Sequence, residues 1–237
     1  MEWLERTELL IGSEKIQQLR TSNVLIVGLG GVGAYAAELL CRAGIGKMTI
    51  VDGDVVETSN RNRQLPALKS TTGQPKAEIL AKRFRDINPD VELTVVNEFI
   101  RDEKTKELLT SQPFDYVVDA IDTLSPKVFL VYQAKQLGLN IVSSMGAGGK
   151  MDTSKVESAD ISKSYNCKLA RMMRKRLSRY GIKKEVKVVF SSEKIDESAV
   201  RLEEGQNKKS TVGTISYMPP LFGCHIAGIV IRDLLST

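Results

Sequence analysis

Two short stretches of this 237-residue chain hold residue types that do phosphate chemistry. The first, Asn23 to Gly33, reads NVLIVGLGGVG, an apolar run that breaks into Gly28, Gly30, Gly31 and Gly33. Glycines so spaced between a strand and a helix allow a tight turn. They also bring backbone N–H groups up to a phosphate at the helix N-terminus, where the helix dipole favours an anion. Asp52 ends the next apolar run, where a carboxylate accepts hydrogen bonds from ribose hydroxyls. Together they predict a nucleotide site. The plainer alternative is a glycine turn kept for packing, and neither feature separates NAD from ATP. No G-x-x-x-x-G-K-S/T occurs, which excludes a P-loop.

The second stretch separates the two nucleotides. Thr58 to Gln64 reads TSNRNRQ, placing Asn60, Arg61, Arg63 and Gln64 just after the acidic strand end, and Lys76 follows in GQPKAE. Attack at the α-phosphorus of a triphosphate needs cations on the transferring group and on the departing pyrophosphate, and Arg63 and Lys76 are of the right kind. Further on, VVDAIDT ends in Asp119 and Asp122, and a carboxylate at such a strand end can hold a phosphate-bridging magnesium ion. Each residue alone has a bland reading: a basic loop is usually a solvated face, and Asp122 could cap the following turn. In this order they point to adenylyl transfer from ATP. An NAD-dependent oxidoreductase would leave Arg63, Lys76 and Asp122 without work.

These residues need strand ends and helix starts to hold them. Leu4, Leu9, Leu10, Ile16 and Leu19 suggest an N-terminal helical segment, Val24–Val27 a strand, Ala34–Ala43 a helix and Met48–Val51 a strand. Pro75–Ile87 is predicted to be a helix with Pro75 near its start and Ala77, Leu80, Ala81, Phe84 and Ile87 on one face. Val91–Val96, Tyr116–Ala120 and Asn140–Ser144 read as strands, Lys104–Leu109 and Lys127–Leu137 as helices. Alternating strands and helices imply an α/β fold: a Rossmann-like, doubly wound, mostly parallel sheet with helices on both faces, whose ligands sit at the carboxyl ends of the strands. A smaller C-terminal extension containing a basic helix follows. The chain is expected to be one domain, residues 1–237, with a nucleotide-binding core over 1–150 and the basic helix, a crossover loop and a last helix over 151–237.

Composition agrees with one soluble globular unit: 42% of residues are hydrophobic and 27% charged. A formal charge of +5 leans toward an anionic partner. Cys41, Cys167 and Cys224 are an odd number without close pairing, which argues against a disulfide framework or a paired-thiol zinc site and makes a reducing cytoplasm the simplest compartment. The start, MEWLERTE, shows no signal peptide. Tyr217–Leu235, broken by two prolines, a histidine and an arginine, reads as a buried helix rather than a membrane span.

The set VGLGGVG, Asp52, SNRNRQ, GQPKAE and DAIDT resembles the ubiquitin-activating-like adenylating enzymes, the family of ThiF and MoeB, over roughly the first 150 residues. The resemblance implies ATP with Mg2+. Asp52 would be the ribose contact, Asn60, Arg63 and Gln64 the phosphate-facing set, Lys76 the α-phosphate lysine and Asp122 the magnesium ligand. Arg6 would reach into a partner protomer's site, making the active unit a homodimer. Members serving thiamine and molybdopterin carry two CxxC pairs and a crossover-loop cysteine. This chain has neither CxxC pair, and Asn207–Pro220, NKKSTVGTISYMPP, contains no cysteine. Cys224 just beyond is expected to be an inert buried thiol.

The second half resembles the branch of that family that cyclises threonylcarbamoyladenosine (t6A) in tRNA, through DAIDTLSPK with Lys127, SSMGAGGK, ADISKS and VVFSSE. The implied reaction transfers AMP to the threonyl carboxylate, after which an atom of the ureido group displaces AMP and closes a ring with net loss of water. Gly146, Gly148 and Gly149 would then let backbone approach the substrate. From Lys168 to Tyr180, Leu169, Met172, Met173, Leu177 and Tyr180 recur at helical spacing, while Lys168, Arg171, Arg174, Lys175, Arg176 and Arg179 form the rest of the surface. Such a helix tracks phosphates, or is simply a solvated face over a core stripe. His225, the only histidine, reads as structural. A carrier-adenylating enzyme of the sulfur-transfer kind and a non-catalytic nucleotide-binding scaffold stay as rivals. The sequence leaves open a monovalent cation in the second half and sulfur-acceptor or desulfurase partners; nothing in it supports membrane attachment.

Overall fold

The computed structural model describes residues 2–202 and 210–236. Two short helices, α1 (Glu5–Ile11) and α2 (Ser13–Thr21), come first. The expected N-terminal helical segment is present as two helices parted at Gly12, whose φ of 87° interrupts the helical path. There follow β1 (Asn23–Val27), α3 (Gly33–Arg42), β2 (Lys47–Val51), α4 (Lys76–Ile87), β3 (Glu92–Val96), α5 (Glu103–Thr110), β4 (Tyr116–Asp119), α6 (Leu124–Gln136) and β5 (Ile141–Ser144). The second half adds β6 (Val156–Asp160), α7 (Lys168–Leu177), β7 (Lys187–Ser191), the short pair β8 (Val200–Leu202) and β9 (Ser210–Val212), and α8 (Met218–Leu234).

Seven strands form one sheet in the order β3-β2-β1-β4-β5-β7-β6, parallel except for β6, which runs antiparallel to β7. The chain extends the sheet from β1 outward in one direction through β2 and β3, then returns to add β4 on the other side. The crevice of this doubly wound sheet therefore opens where β1 meets β4. Strands β1, β4 and β5 are buried along their whole length because helices cover both faces, which explains the apolar runs Val24–Val27, Tyr116–Val118 and Ile141–Val142 within them. Helices α3, α4 and α8 pack one face, with Ala34, Leu80, Phe84, Phe222 and Ile226 in its core. Helices α5, α6 and α7 pack the other, with Leu130, Val131, Met173 and Leu177.

The extension expected after residue 150 continues the same sheet, since β7 pairs with β5. Pro126 lies in the first turn of α6, where its missing N–H costs nothing, so that helix starts earlier than the apolar pattern suggested. Cys224 corrects an expectation: it is exposed. Helix α8 turns Phe222, Gly223, Ile226, Ala227 and Val230 inward, and the 3.6-residue period carries Cys224 to the outer side with Arg232. His225 beside it is half-buried, and burial, then the Arg232 guanidinium, holds its pKa below the ordinary histidine value. Among the described residues no helix is long and apolar enough to cross a membrane.

Candidate nucleotide-binding and adenylation site

The glycine loop joins β1 to α3 by close backbone approach. Gly28 has φ 92°, and a Cβ there would lie 2.8 Å from the Ala120 carbonyl oxygen. A Cβ on Gly33 would lie 1.8 Å from the Gly28 carbonyl oxygen, so only glycine lets α3 begin this close to the strand it follows. Asp52 sits just beyond β2 and accepts the Leu29 N–H at 2.6 Å on one carboxylate oxygen and the Asp54 N–H at 2.7 Å on the other. Burial pushes its carboxyl above the ordinary aspartate range in spite of these two donors. Asp52 thus ties the end of β2 to the glycine loop.

The loop after Asp52 folds back over the glycines. Asn60 is buried, and its Oδ1 accepts the Glu57 N–H at 3.1 Å in a reciprocal capping box. Its backbone carbonyl receives the N–H groups of Arg63 and Gln64, so Asn60 sets the turn that presents both. The Arg63 guanidinium is steered by the Ser59 carbonyl at 3.0 Å and Asn62 Oδ1 at 2.7 Å. The Gln64 amide nitrogen stands 3.8 Å from where a Gly30 side chain would be, and a Cβ on Gly31 would lie 3.4 Å from the Arg63 carbonyl oxygen. Gln64 Oε1 is shut off from solvent without a hydrogen-bond partner among the described residues. A nucleotide seated on the glycine loop fits this arrangement, since it would bring donors to a buried acceptor.

Lys76 opens α4 at the same edge. Its side chain is only 5% exposed, and Nζ reaches Asp54 Oδ2 at 3.0 Å. Asp54, which the sequence reading passed over, is therefore the group that holds this cation; the only hint was a second acid two residues after Asp52. With one exposed carboxylate as its ion-pair partner, Lys76 can exchange it for a phosphate without leaving a charge buried alone.

Asp119 and Asp122, read together from the sequence, do different work. Asp119 is completely buried and shared among three donors: Lys127 Nζ at 2.8 Å, Ser143 Oγ at 2.6 Å and the Ile121 N–H at 3.1 Å. Lys127, equally buried, also donates to the Ile121 carbonyl at 3.0 Å. The pair thus clamps residue 121 through both its N–H and its carbonyl. Asp122 stands exposed directly after that clamp, where the sheet crevice opens. Among the described residues no three His, Cys, Asp or Glu side chains cluster to hold a metal. Asp122 can therefore contribute one carboxylate to a magnesium ion whose other ligands are phosphates and water, the usual donor set for that ion.

The second half closes over the same edge. Asn62 Nδ2 donates to the Thr214 carbonyl at 2.9 Å, and a Cβ on Gly148 would lie 3.1 Å from Thr214 Oγ1, so the crossover segment bridges the arginine loop and the glycine loop after β5. Residues 207–209 of that segment lie outside the described residues. Lys150 ends the glycine loop buried, its Nζ donating to the Glu193 carbonyl and, at 3.5 Å, to that of Asn166. Burial lowers its pKa. On α7, Lys168, Arg171, Lys175 and, just past it, Arg179 are exposed. Arg174 is half-buried, donating to the Ser164 and Ile161 carbonyls at 2.9 and 3.3 Å, which ties α7 to the preceding turn. Arg6 is exposed on α1, next to Leu4, which packs on Gly44. That contact is at the far end of α3 from the glycine loop, about 15 Å along the helix axis. Within one chain the fold does not bring Arg6 to the other site residues.

Sequence and structure comparisons extend this geometry. The tRNA threonylcarbamoyladenosine dehydratase of Bacillus subtilis (strain 168) is 39% identical over 238 residues, covering 97% of this chain and 93% of that protein. The crystal structure of the E. coli enzyme, TcdA, in complex with ATP superimposes with a TM-score of 0.90 at 31% identity, covering 99% of this chain and 94% of that one. The molybdopterin-synthase adenylyltransferase of Escherichia coli (strain K12) is 38% identical over 109 residues, 46% of this chain and 43% of that protein. The ThiF family matches residues 4–237, and the chain belongs to that family.

Proposed function

We propose that this protein is an ATP-dependent tRNA threonylcarbamoyladenosine dehydratase. The observation that carries this reading is the 39% identity to the Bacillus subtilis dehydratase, which runs through the second half as well as the nucleotide half. Likeness to the molybdopterin-synthase adenylyltransferase covers 46% of the chain. The cysteine-free sequence of the crossover segment also counts against a covalent carrier relay.

In the first step a carboxylate oxygen of the threonyl group attacks the α-phosphorus of ATP, and pyrophosphate leaves. Arg63 and Lys76 stabilise charge on the transferring and departing phosphates, backbone N–H groups of the glycine loop receive phosphate oxygens, and Asp52 takes the ribose hydroxyls. Asp122 would hold magnesium, which supplies charge neutralisation between the phosphates. In the second step an atom of the ureido group attacks the acyl carbon and AMP leaves, with net loss of one water from the side chain. That closure is intramolecular, so holding the substrate bent replaces a dedicated nucleophile. Gly146, beside which only Leu169 comes as near as 4.0 Å, lets backbone approach the bent chain, whereas Gly148 and Gly149 correct the expectation: the space a side chain would take there is filled by Val212, Thr214 and Ile195. Arg6 of a second protomer completes the site in a homodimer. A tRNA substrate is consistent with a cytoplasmic reaction.

Incubation with ATP labelled at the α-phosphate tests the first step. AMP release is expected with tRNA bearing the threonylcarbamoyl group and not with tRNA lacking it. AMP formation that ignores tRNA but requires a small carrier protein would overturn the reading.

A further inference from the structure

An aromatic stack lies on the flank shared by α6 and α7, unused by the adenylation site. The Tyr180 ring lies 4.6 Å from that of Tyr132, centroid to centroid, with planes 31° apart, and Phe129 continues the row 6.5 Å from Tyr132. Tyr180 is 52% exposed, while Tyr132 and Phe129 are half-buried. Along the chain on either side of Tyr180 the charges are all cationic: residues 163 to 184 hold nine lysines and arginines and no aspartate or glutamate before Glu185. Arg171, Lys175 and Arg179 are exposed and have no ion-pair partner among the described residues.

Two contacts tie this flank to the adenylation edge. Leu169, at the start of α7, lies 4.0 Å from where a Gly146 side chain would stand. One helical stretch later, Arg176 Nη1 donates to Ser125 Oγ at 2.8 Å, in the first turn of α6 just after Asp122. Tyr132 is about 10 Å further along α6 from Ser125. A cationic stripe thus leaves the reaction site along α7 and ends at a half-exposed ring backed by a second ring. Single-stranded RNA is held by this combination, phosphates on cations and a base stacked on an aromatic face. A second copy of the chain would bring a like-charged stripe against this one and be repelled.

Resting on the tRNA reading above, we propose that Tyr180, backed by Tyr132, stacks a base of the strand flanking the reacting nucleotide, with Arg171, Lys175 and Arg179 on its phosphates. The test is titration of tRNA bearing threonylcarbamoyladenosine with the full chain and with Tyr180→Ala, Tyr180→Phe and Tyr180→Trp, each over a range of salt. Tyr180→Ala is expected to weaken Kd by about 5- to 150-fold with an unchanged salt slope, since a base contact and no phosphate contact is lost. Tyr180→Phe and Tyr180→Trp keep wild-type affinity, and in a Trp3→Phe background the fluorescence of Tyr180→Trp is quenched by tRNA. That quenching carries the test if Tyr180→Ala does not fold. Wild-type binding by Tyr180→Ala, equal damage by all three substitutions, an unquenched Tyr180→Trp, or a changed sedimentation mass would overturn the proposal, the last by making this flank a protein contact. Failure of the unsubstituted chain to bind tRNA would overturn the tRNA reading itself, a result distinct from any Tyr180 difference.

Discussion

Where β1, β2 and β4 end, each buried charge has a partner: Asp119 has Lys127, Lys76 has the exposed Asp54, and Asp52 has two backbone N–H groups. Along α7, Lys168, Arg171, Lys175 and Arg179 stand in solvent with no ion-pair partner among the described residues. Burying an unpaired charge costs several kcal/mol, so the first region fixes its groups in one arrangement. The second keeps its cations hydrated and adaptable, which suits a long polyanion whose counterions are released on contact. The first region suits atomic placement and the second suits attraction.

Unpairing the buried side should have the largest effect. Lys127→Met leaves Asp119 uncompensated at full burial and is expected to cost about 3–5 kcal/mol in denaturant unfolding. Adding Asp119→Leu should return part of that loss, because removing both charges is milder than removing one. If the single substitution leaves stability unchanged, the clamp on residue 121 has no energetic weight.

Lys76→Ala strikes the same region without unfolding it, since the partner Asp54 is exposed. AMP formation is expected to fall by about 10²- to 10³-fold, the cost of losing one preorganised group facing developing charge, with the unfolding midpoint close to wild type. On the other side of the comparison, Arg171→Gln and Lys175→Gln should each reduce the salt slope of tRNA binding by about 1 and leave ATP affinity unchanged. Loss of ATP binding in either variant would erase the division between the regions.

The smallest effect expected is on pH dependence. His225, which none of the proposed steps uses, has its pKa held below the ordinary value of 6.5 by burial and then by Arg232. Between the folded and unfolded pKa values the unfolded chain binds more protons, so stability rises with pH across that window and is lost as pH falls through it. His225→Gln should flatten the thermal-unfolding midpoint between about pH 7 and 5, a window set by the histidine reference pKa. A slope that survives the substitution would point to another group.

The glycine loop and the strand end at Asp52 were largely legible in the sequence because their demands are local. A glycine at Gly28 or Gly33 is dictated by backbone contact within one turn, and an acid at a strand end announces Asp52. Non-local partners were hidden. Asp119 occupies the last position of a fully buried strand, which demands a partner, yet spacing alone does not reveal that Lys127 and Ser143 supply it. The exposure of Cys224 was missed because a helix apolar in composition still has an outer row. Tyr180 could be read only as part of a core stripe, since its stacking partner lies 48 positions earlier on another helix.

The most direct test of the account is mass spectrometry of nucleosides from tRNA carrying threonylcarbamoyladenosine, after incubation with the protein, ATP and magnesium, beside an Arg63→Ala control. The modified nucleoside is expected to lose the mass of one water with the wild-type chain and to keep its mass with the control. An unchanged nucleoside under conditions where the wild-type chain binds both ATP and that tRNA would contradict it.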